Sequence, residues 1–320
     1  MAPNITNDEI IIAERESDQS KGSQAEPRQY HIVYRNIAVF LYYHIAGIYG
    51  FYLCFGNAMW TTIFWNVFTF IIAGLGVTAG SHRLWSHKSY KATRPLQIFL
   101  VLAQSVANQH SVAHWARDHR LHHKYSETDA DPHNSSRGFF YSHVGWLMVR
   151  KHPEVRRRGK MIDMSDIYSN PYLKLQDKHS YWFIPLLSFL IPTYIPTLWG
   201  ESLTNAWYIN MFRYVLNLNV TFCVNSVAHL WGQKPYDKHI APSQSPKVNV
   251  VTLGEGWHNY HHCFPWDYRS DELGLRFNFT TCFIDICEKL GLAYDLRSAS
   301  GEVIEARAER TGDGTRFKSL

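Results

Sequence analysis

The stretch Trp60–His87 reads WTTIFWNVFTFIIAGLGVTAGSHRLWSH, and it decides the fold class. Residues 60–80 carry no charged side chain, and a helix of about 20 apolar residues is what a bilayer core requires. The chain then turns polar and presents His82 and His87, five positions apart. An apolar span that delivers imidazoles to its polar end implies an integral membrane protein with chemistry at the lipid surface.

Three further stretches read as spans. Residues 37–56 are interrupted only by His44, and residues 181–199 contain Pro185, Pro192 and Pro196, which predict a kinked helix. Residues 206–228 are less apolar, with Arg213 and Asn210, Asn217, Asn219 and Asn225 inside them. Polar groups at that depth are expected to face a bundle interior or a site. The connectors 57–59 and 200–205 lack Lys and Arg, whereas residues 1–36, 81–180 and 229–320 are rich in both. The positive-inside rule then expects both termini and the long 81–180 segment in the cytosol, with two short lumenal turns. The sequons at Asn4, Asn134 and Asn278 are expected to stay unglycosylated on that topology.

The expected architecture is all-α, with four transmembrane helices and a mostly helical cytosolic cap. Its parts are a largely disordered N-terminal segment (1–36), spans one and two (37–80), a cap segment (81–180), spans three and four (181–228), and a second cap segment (229–320). The five cysteines are scattered without a CxxC, which excludes a secreted disulfide scaffold. A net charge of +5 is too mild to imply a nucleic-acid partner.

The 18 histidines are the outlier in the composition, and many of them are patterned. After His82 and His87 come His119-Arg-Leu-His122-His123 and His258-Asn-Tyr-His261-His262. On a helix, positions i, i+3 and i+4 share a face, so each triplet aims three rings at one point. At this histidine frequency one HxxHH arises by chance in roughly one chain in twenty. Two of them beside an HxxxxH point to metal binding. His229 adds a ninth ring one turn after Asn225. Nine rings exceed the three or four ligands of a single zinc site, and two metals beside a membrane suggest redox chemistry on an apolar substrate. Imidazole suits Zn, Cu, Fe and Ni alike. His31, His179 and His239 read as surface residues, and His133, His143 and His152 fall outside the repeat. A metal transporter would place polar groups at matched depths in several spans, and the second span has no charge.

Long stretches of the chain, among them GVTAGSHRLWSHKSYKA, HWARDHRLHHKYSETDADPHN, NVTFCVNSVAHLWGQKPYDK and GEGWHNYHHCFPWDYR, closely resemble the acyl-CoA desaturases of stearoyl-CoA type, the insect branch in particular. The resemblance runs from about residue 35 to residue 314. It implies a mushroom-shaped membrane protein of the endoplasmic reticulum that uses O₂ and two Fe²⁺ ions to desaturate a fatty acyl-CoA. One metal would be held by His82, His87, His119, His123 and His261. The other would be held by His122, His229, His258 and His262, with Asn225 acting through a water. Electrons would come from cytochrome b5, and the lack of a His-Pro-Gly-Gly haem motif makes that donor a separate protein.

By the same resemblance Asn36, Arg117, Asp118, Arg150 and Lys151 would meet the CoA moiety. Gln109, Trp115 and Thr221 would line the bend of an acyl tunnel whose closed end lies near Phe70 and Gly74. Gly74 replaces a more usual Ala, which is expected to leave room for a longer or differently seated chain. The expected double-bond position is Δ9, with Δ11 or another regiochemistry, or a related membrane hydroxylase, as the alternative. His110 replaces the family's Asn, Phe222 a Trp, Cys263 a Val, and position 114 is His.

Overall fold

The computed structural model describes residues 30–272 and 278–316. The sequon at Asn4 and most of the expected N-terminal disordered segment lie outside them. The body of the chain is helical. Among the described residues the one regular sheet is a two-residue antiparallel ladder, β1 (Lys91–Ala92) against β2 (Ala293–Tyr294).

Three helical stretches are long and apolar enough to cross a membrane: residues 34–53, 60–86 and 171–199. The first is α1 (Tyr34–Leu53), and the second begins as α2 (Trp60–Leu75). Their apolar side chains face outward, with Ile48 71% and Phe64 68% exposed. That arrangement is stable only where lipid replaces water as the solvent.

α2 runs without a break into a π-helix over Gly76–Ser86. At Gly76 an added Cβ would stand 2.1 Å from the Gln104 backbone nitrogen, so this glycine lets α3 (Arg94–Ala107) lie directly on the π-turn. α4 (Val112–Tyr125) follows after a reversal in which Asn108 (φ 48°) and His110 (φ 66°) both adopt the left-handed region. Asn enters that region more readily than His does. The Ser111 side chain caps α4 by accepting from the His114 N–H.

The third span begins earlier than its apolar run, because α5 (Pro171–Pro185) precedes it and continues as a π-turn (Leu186–Leu190) and short turns to Trp199. Its prolines explain its partners. Pro192 and Pro196 have no N–H to return to the carbonyls four residues before them, Ser188 and Pro192. Ser188 O accepts instead from Arg213 (2.7 Å) and Asn210 (3.0 Å), and Pro192 O accepts from the Trp65 indole (3.0 Å).

Arg213 and Asn210 sit on α6 (Leu203–Asn225), a 23-residue helix that is long enough to span but carries too many polar groups to stand with the other three. Arg213 is buried at 2% exposure and also donates to Val106 O (3.0 Å) and Asn210 Oδ1 (2.7 Å). The polar cargo of α6 therefore serves the bundle interior, as the sequence predicts.

The described sequons are internal. Asn134 and Asn278 are each at most 2% exposed and cap the turns that follow them, so neither amide is open to modification in the folded protein. All five cysteines are free.

Candidate metal centre

Each histidine motif lies on the element its spacing demands. His119, His122 and His123 share the last two turns of α4, and His258, His261 and His262 make up half of the short helix α7 (His258–Cys263). The HxxxxH pair does not fit an α-helix, where residues five apart diverge by about 140°. The π-helix supplies the remedy, because its i→i+5 bonding stacks residues five apart. The His87 N–H donates to His82 O at 3.1 Å, and His229 comes from the turn just after α6.

These rings meet in two groups. His82, His87, His119, His123 and His261 form one, and His122, His229, His258 and His262 the other, with the ligand atoms of each within 4.8 Å of one another. In the first group Nε2 faces Nε2 at 2.9 Å (His82–His261), 2.8 Å (His87–His119) and 3.0 Å (His123–His261). In the second the separations are 2.9 Å (His229–His258) and 3.2 Å (His258–His262). Two nitrogens on one ion at about 2.1 Å and right angles stand ~3 Å apart, so the donor set fits metal ligation. The groups abut through His123 and His262, whose rings stack at 4.1 Å.

Carboxylates orient the rings from behind. His82 Nδ1 is 2.8 Å from Glu255, His122 Nδ1 is 3.0 Å from Asp131, and His229 Nδ1 is 2.9 Å from Glu127. An ionised carboxylate can only accept, so Nδ1 holds the proton and Nε2 keeps its lone pair for a metal. Burial opposes ionisation of Glu255, yet Arg83 and His82 hold it at about 2. Glu127 is likewise opposed by burial and brought to about 2 by His229 and His122. Arg83, 1% exposed, also donates to Tyr268 O (2.8 Å) and Thr281 Oγ1 (3.0 Å), which ties the first motif to the segments that follow the third.

Sequence reasoning passes over these three acids. Their signal lies in the motif stretches themselves: Glu127 and Asp131 follow the second motif, and Glu255 stands three residues before the third. His133 stacks on His122 at 4.4 Å and belongs to neither group. His143 binds Asn219 on α6 and Ser226 just after it instead, and His152 caps the helix Pro153–Gly159.

Burial sets the protonation of the cluster. It lowers His87, His119, His123, His229, His258, His261 and His262 below the usual imidazole range, and mutual repulsion among the rings adds to it. His122 alone moves up, because Asp131 and Glu127 outweigh its burial. An unfolded chain takes up protons below about pH 6.5 that the seven depressed rings refuse, so stability is lost as pH falls below 6.5. His122 acts in the opposite sense, one ring against seven. Chelator-treated protein in detergent should therefore melt at a lower temperature at pH 5.5 than at pH 7.5. A midpoint that rose on acidification would contradict the cluster's burial.

Two cavities adjoin the rings. The inner one is lined by Phe70 and Gly74 of α2, by Val77 of the π-helix, by Val220 and Val224 of α6, by Val251, Thr252 and Leu253, and by His82, His119, His122 and His258. The outer cleft is lined by Asn36, Gln109, His110, His114, Asp118 and Tyr181 among others. Trp115, His119, Thr221 and Asn225 line both. Gln109 fixes that junction, donating to Thr221 Oγ1 (2.9 Å) and accepting from the Trp115 indole (3.3 Å). Asn36 donates to Leu147 O (2.7 Å) at the cleft. Arg117, His114 and Lys151 converge on Asp118, whereas Arg150 is exposed. Substituted His110 stacks on His114 at 4.4 Å on the cleft wall.

Comparison with known proteins gives this arrangement its context. A profile of the fatty acid desaturase family matches residues 63–270. A Spodoptera littoralis protein named Acyl-CoA Delta(11) desaturase is 60% identical over 93% of this chain and 88% of its own. A Choristoneura rosaceana protein of the same name is 56% identical over 98% and 95%. The Acyl-CoA Delta-9 desaturase of Acheta domesticus is 48% identical over 98% and 92%. With histidine groups suited to metal at the junction of two cavities, and relatives of that name matched almost end to end, the chain belongs to the fatty acid desaturase family and is an insect acyl-CoA desaturase, an oxidoreductase.

Proposed function

We propose that this protein inserts a double bond at carbon 11 of a long-chain fatty acyl-CoA, using two iron ions and O₂ at the paired histidine groups. The observation that carries the reading is the opening of both imidazole groups onto one apolar cavity that continues into a polar cleft. The Δ9 position expected from the sequence gives way here, because the Delta(11) relatives stand at 60% and 56% identity and the Delta-9 relative at 48%.

In this reading the nine histidines hold the metals, and Asn225, at the junction of the two cavities, completes the second site through a water. Iron bound there supplies the one-electron chemistry with O₂ that takes hydrogen from unactivated methylenes. Overall, acyl-CoA, O₂, two electrons and two protons give the unsaturated acyl-CoA and two waters. The chain's own residues do the positioning. Arg117, Arg150 and Lys151 offer cations to the CoA phosphates, with Asn36 and Asp118 beside them at the cleft. Trp115, Gln109 and Thr221 hold the acyl chain bent at the junction. Phe70, Val77, Val220 and Val224 exclude water around it, with Gly74 at the far end.

Cytochrome b5 is the proposed electron donor. Four spans, α6 being the fourth, would set the protein in the endoplasmic reticulum membrane. The distribution of Lys and Arg supports a cytosolic cap and cytosolic termini.

Expression in a yeast lacking its own desaturase tests the function. Rescue should accompany new monounsaturated acyl chains with the bond located at carbon 11 by mass spectrometry. A bond at carbon 9 would restore the Δ9 reading, and hydroxylated lipid would overturn desaturation itself.

A further inference from the structure

Three polar side chains have no part in the chemistry described so far. His44 interrupts the first span, Asn219 lies within α6, and His143 falls outside the histidine repeat. Polar groups at the depth of His44 and Asn219 are costly and call for a reason.

Together with Ser226 they form one hydrogen-bonded file. His44 Nδ1 stands 2.8 Å from Phe40 O, and a carbonyl only accepts, so that nitrogen carries the proton. His44 Nε2 then accepts from Asn219 Nδ2 (3.2 Å), which also donates to Val215 O (2.8 Å). The amide is thereby turned with its oxygen toward His143, whose Nε2 donates to it at 3.1 Å. The other nitrogen, Nδ1, meets the Ser226 hydroxyl at 2.9 Å. The ring itself is set between Phe139 and Phe222, with centroids at 5.1 Å and 5.7 Å.

Asn219 and Ser226 are seven positions apart, two turns along one helix face, and Asn225 lies between them. Ser226 is 0% exposed and marks the break in α6. Its φ of −109° and ψ of −71° depart from helical values, and a single turn, Val227–Leu230, restarts beyond it with His229. Ser226 O accepts from the His229 N–H at 3.2 Å. Asn225 faces the junction of the two cavities, and among the described residues no hydrogen bond restrains its amide. The backbone that carries Asn225 therefore decides where it points. A helix held at one point can swivel, whereas one held at two points, two turns apart, cannot.

We propose that His143 is a positioning residue of the desaturase: by gripping Asn219 and Ser226 at once, and through Asn219 the His44 of the first span, it fixes the break in α6 that aims Asn225 and His229 at the four-ring site. The proposal rests on the reading of that group as a metal site.

The test uses iron-loaded full-length protein dialysed against a graded chelator series. His143→Phe keeps the aromatic contacts and removes both hydrogen bonds. It should release half of the bound iron at about tenfold lower chelator concentration, the low end of the range for groups that orient a ligand, and the other half as the wild type does. With acyl-CoA, O₂ and reduced cytochrome b5, kcat should fall about tenfold while KM for acyl-CoA holds, because the cleft residues are untouched. His143→Gln should restore both readouts, since its amide offers a donor and an acceptor in place of the two ring nitrogens. Ser226→Ala, the second route to the same loss should His143→Phe fold poorly, should match it, and the double variant should be no worse than either. Iron release and kcat unchanged in both His143→Phe and Ser226→Ala, beside a wild type holding two irons, would overturn the positioning role and leave the metal reading standing. Early release of both halves with a lower melting midpoint, unrelieved by His143→Gln, would make His143 a strut of the fold and overturn it too. A wild type that held no iron would overturn both readings.

Discussion

Replacing His261 or His122 with alanine should abolish detectable desaturation, and the two variants should fail differently. His261 Nε2 faces His82 at 2.9 Å and His123 at 3.0 Å, so its loss opens the middle of the five-ring group. Four imidazoles remain there, and among the described residues no carboxylate contacts the His261 ring. The variant should keep most of its thermal stability and lose metal from one site. His122 is different, because its Nδ1–H donates to Asp131, which is 0% exposed. No Lys or Arg pairs with Asp131 among the described residues, and His133 approaches it only to 3.6 Å. Alanine at 122 leaves three imidazoles in the second group and a buried carboxylate short of a donor, at a cost of about 3 kcal/mol. His122→Ala should therefore lose metal and also melt earlier. Metal per protein, product per protein and the melting midpoint separate the two, with exposed His239→Gln as the unaffected control. Full activity in either variant would remove the basis for assigning these rings to a reaction.

Much of this centre is legible in the sequence because helical spacing is a strong constraint. Three rings at i, i+3 and i+4 can face one point only on a helix, and both triplets lie on helices. The HxxxxH pair carries an equally physical signal that is easier to pass over. A five-residue spacing is wrong for an α-helix and right for a π-turn, and Gly76 permits the close packing that holds the π-turn against α3. The first two spans are legible from hydropathy alone. α6 is not, since whether Arg213 breaks a span or braces one depends on carbonyls that prolines free on another segment. The long-range partners are hidden for the same reason. Glu255, Asp131 and Glu127 look like ordinary polar residues until the fold places each behind a ring.

Those hidden carboxylates lead to the second large effect. Glu127→Gln and Glu255→Gln should each lower metal retention about 10–100-fold, the range for removing the group that orients a ligating histidine. Glutamine keeps the shape and one accepting oxygen but loses the charge that raises the basicity of the ring. At position 127 the exchange is well tolerated locally, because Ser126 and Ser135, which donate to the carboxylate at 2.6 Å and 2.8 Å, can also accept from an amide. Glu127→Gln should therefore weaken the four-ring site while leaving the metal-free melting temperature nearly unchanged. At position 255 the carboxylate also pairs with buried Arg83 at 2.9 Å. Neutralising it strands a cation that cannot shed its proton, so Glu255→Gln should lose both metal and stability. Metal content after dialysis against a graded chelator series, measured beside the melting curves, gives the contrast. Were both variants to hold metal like the wild type, the carboxylates would be structural struts, and the tuning of the two sites would lie in the imidazoles alone.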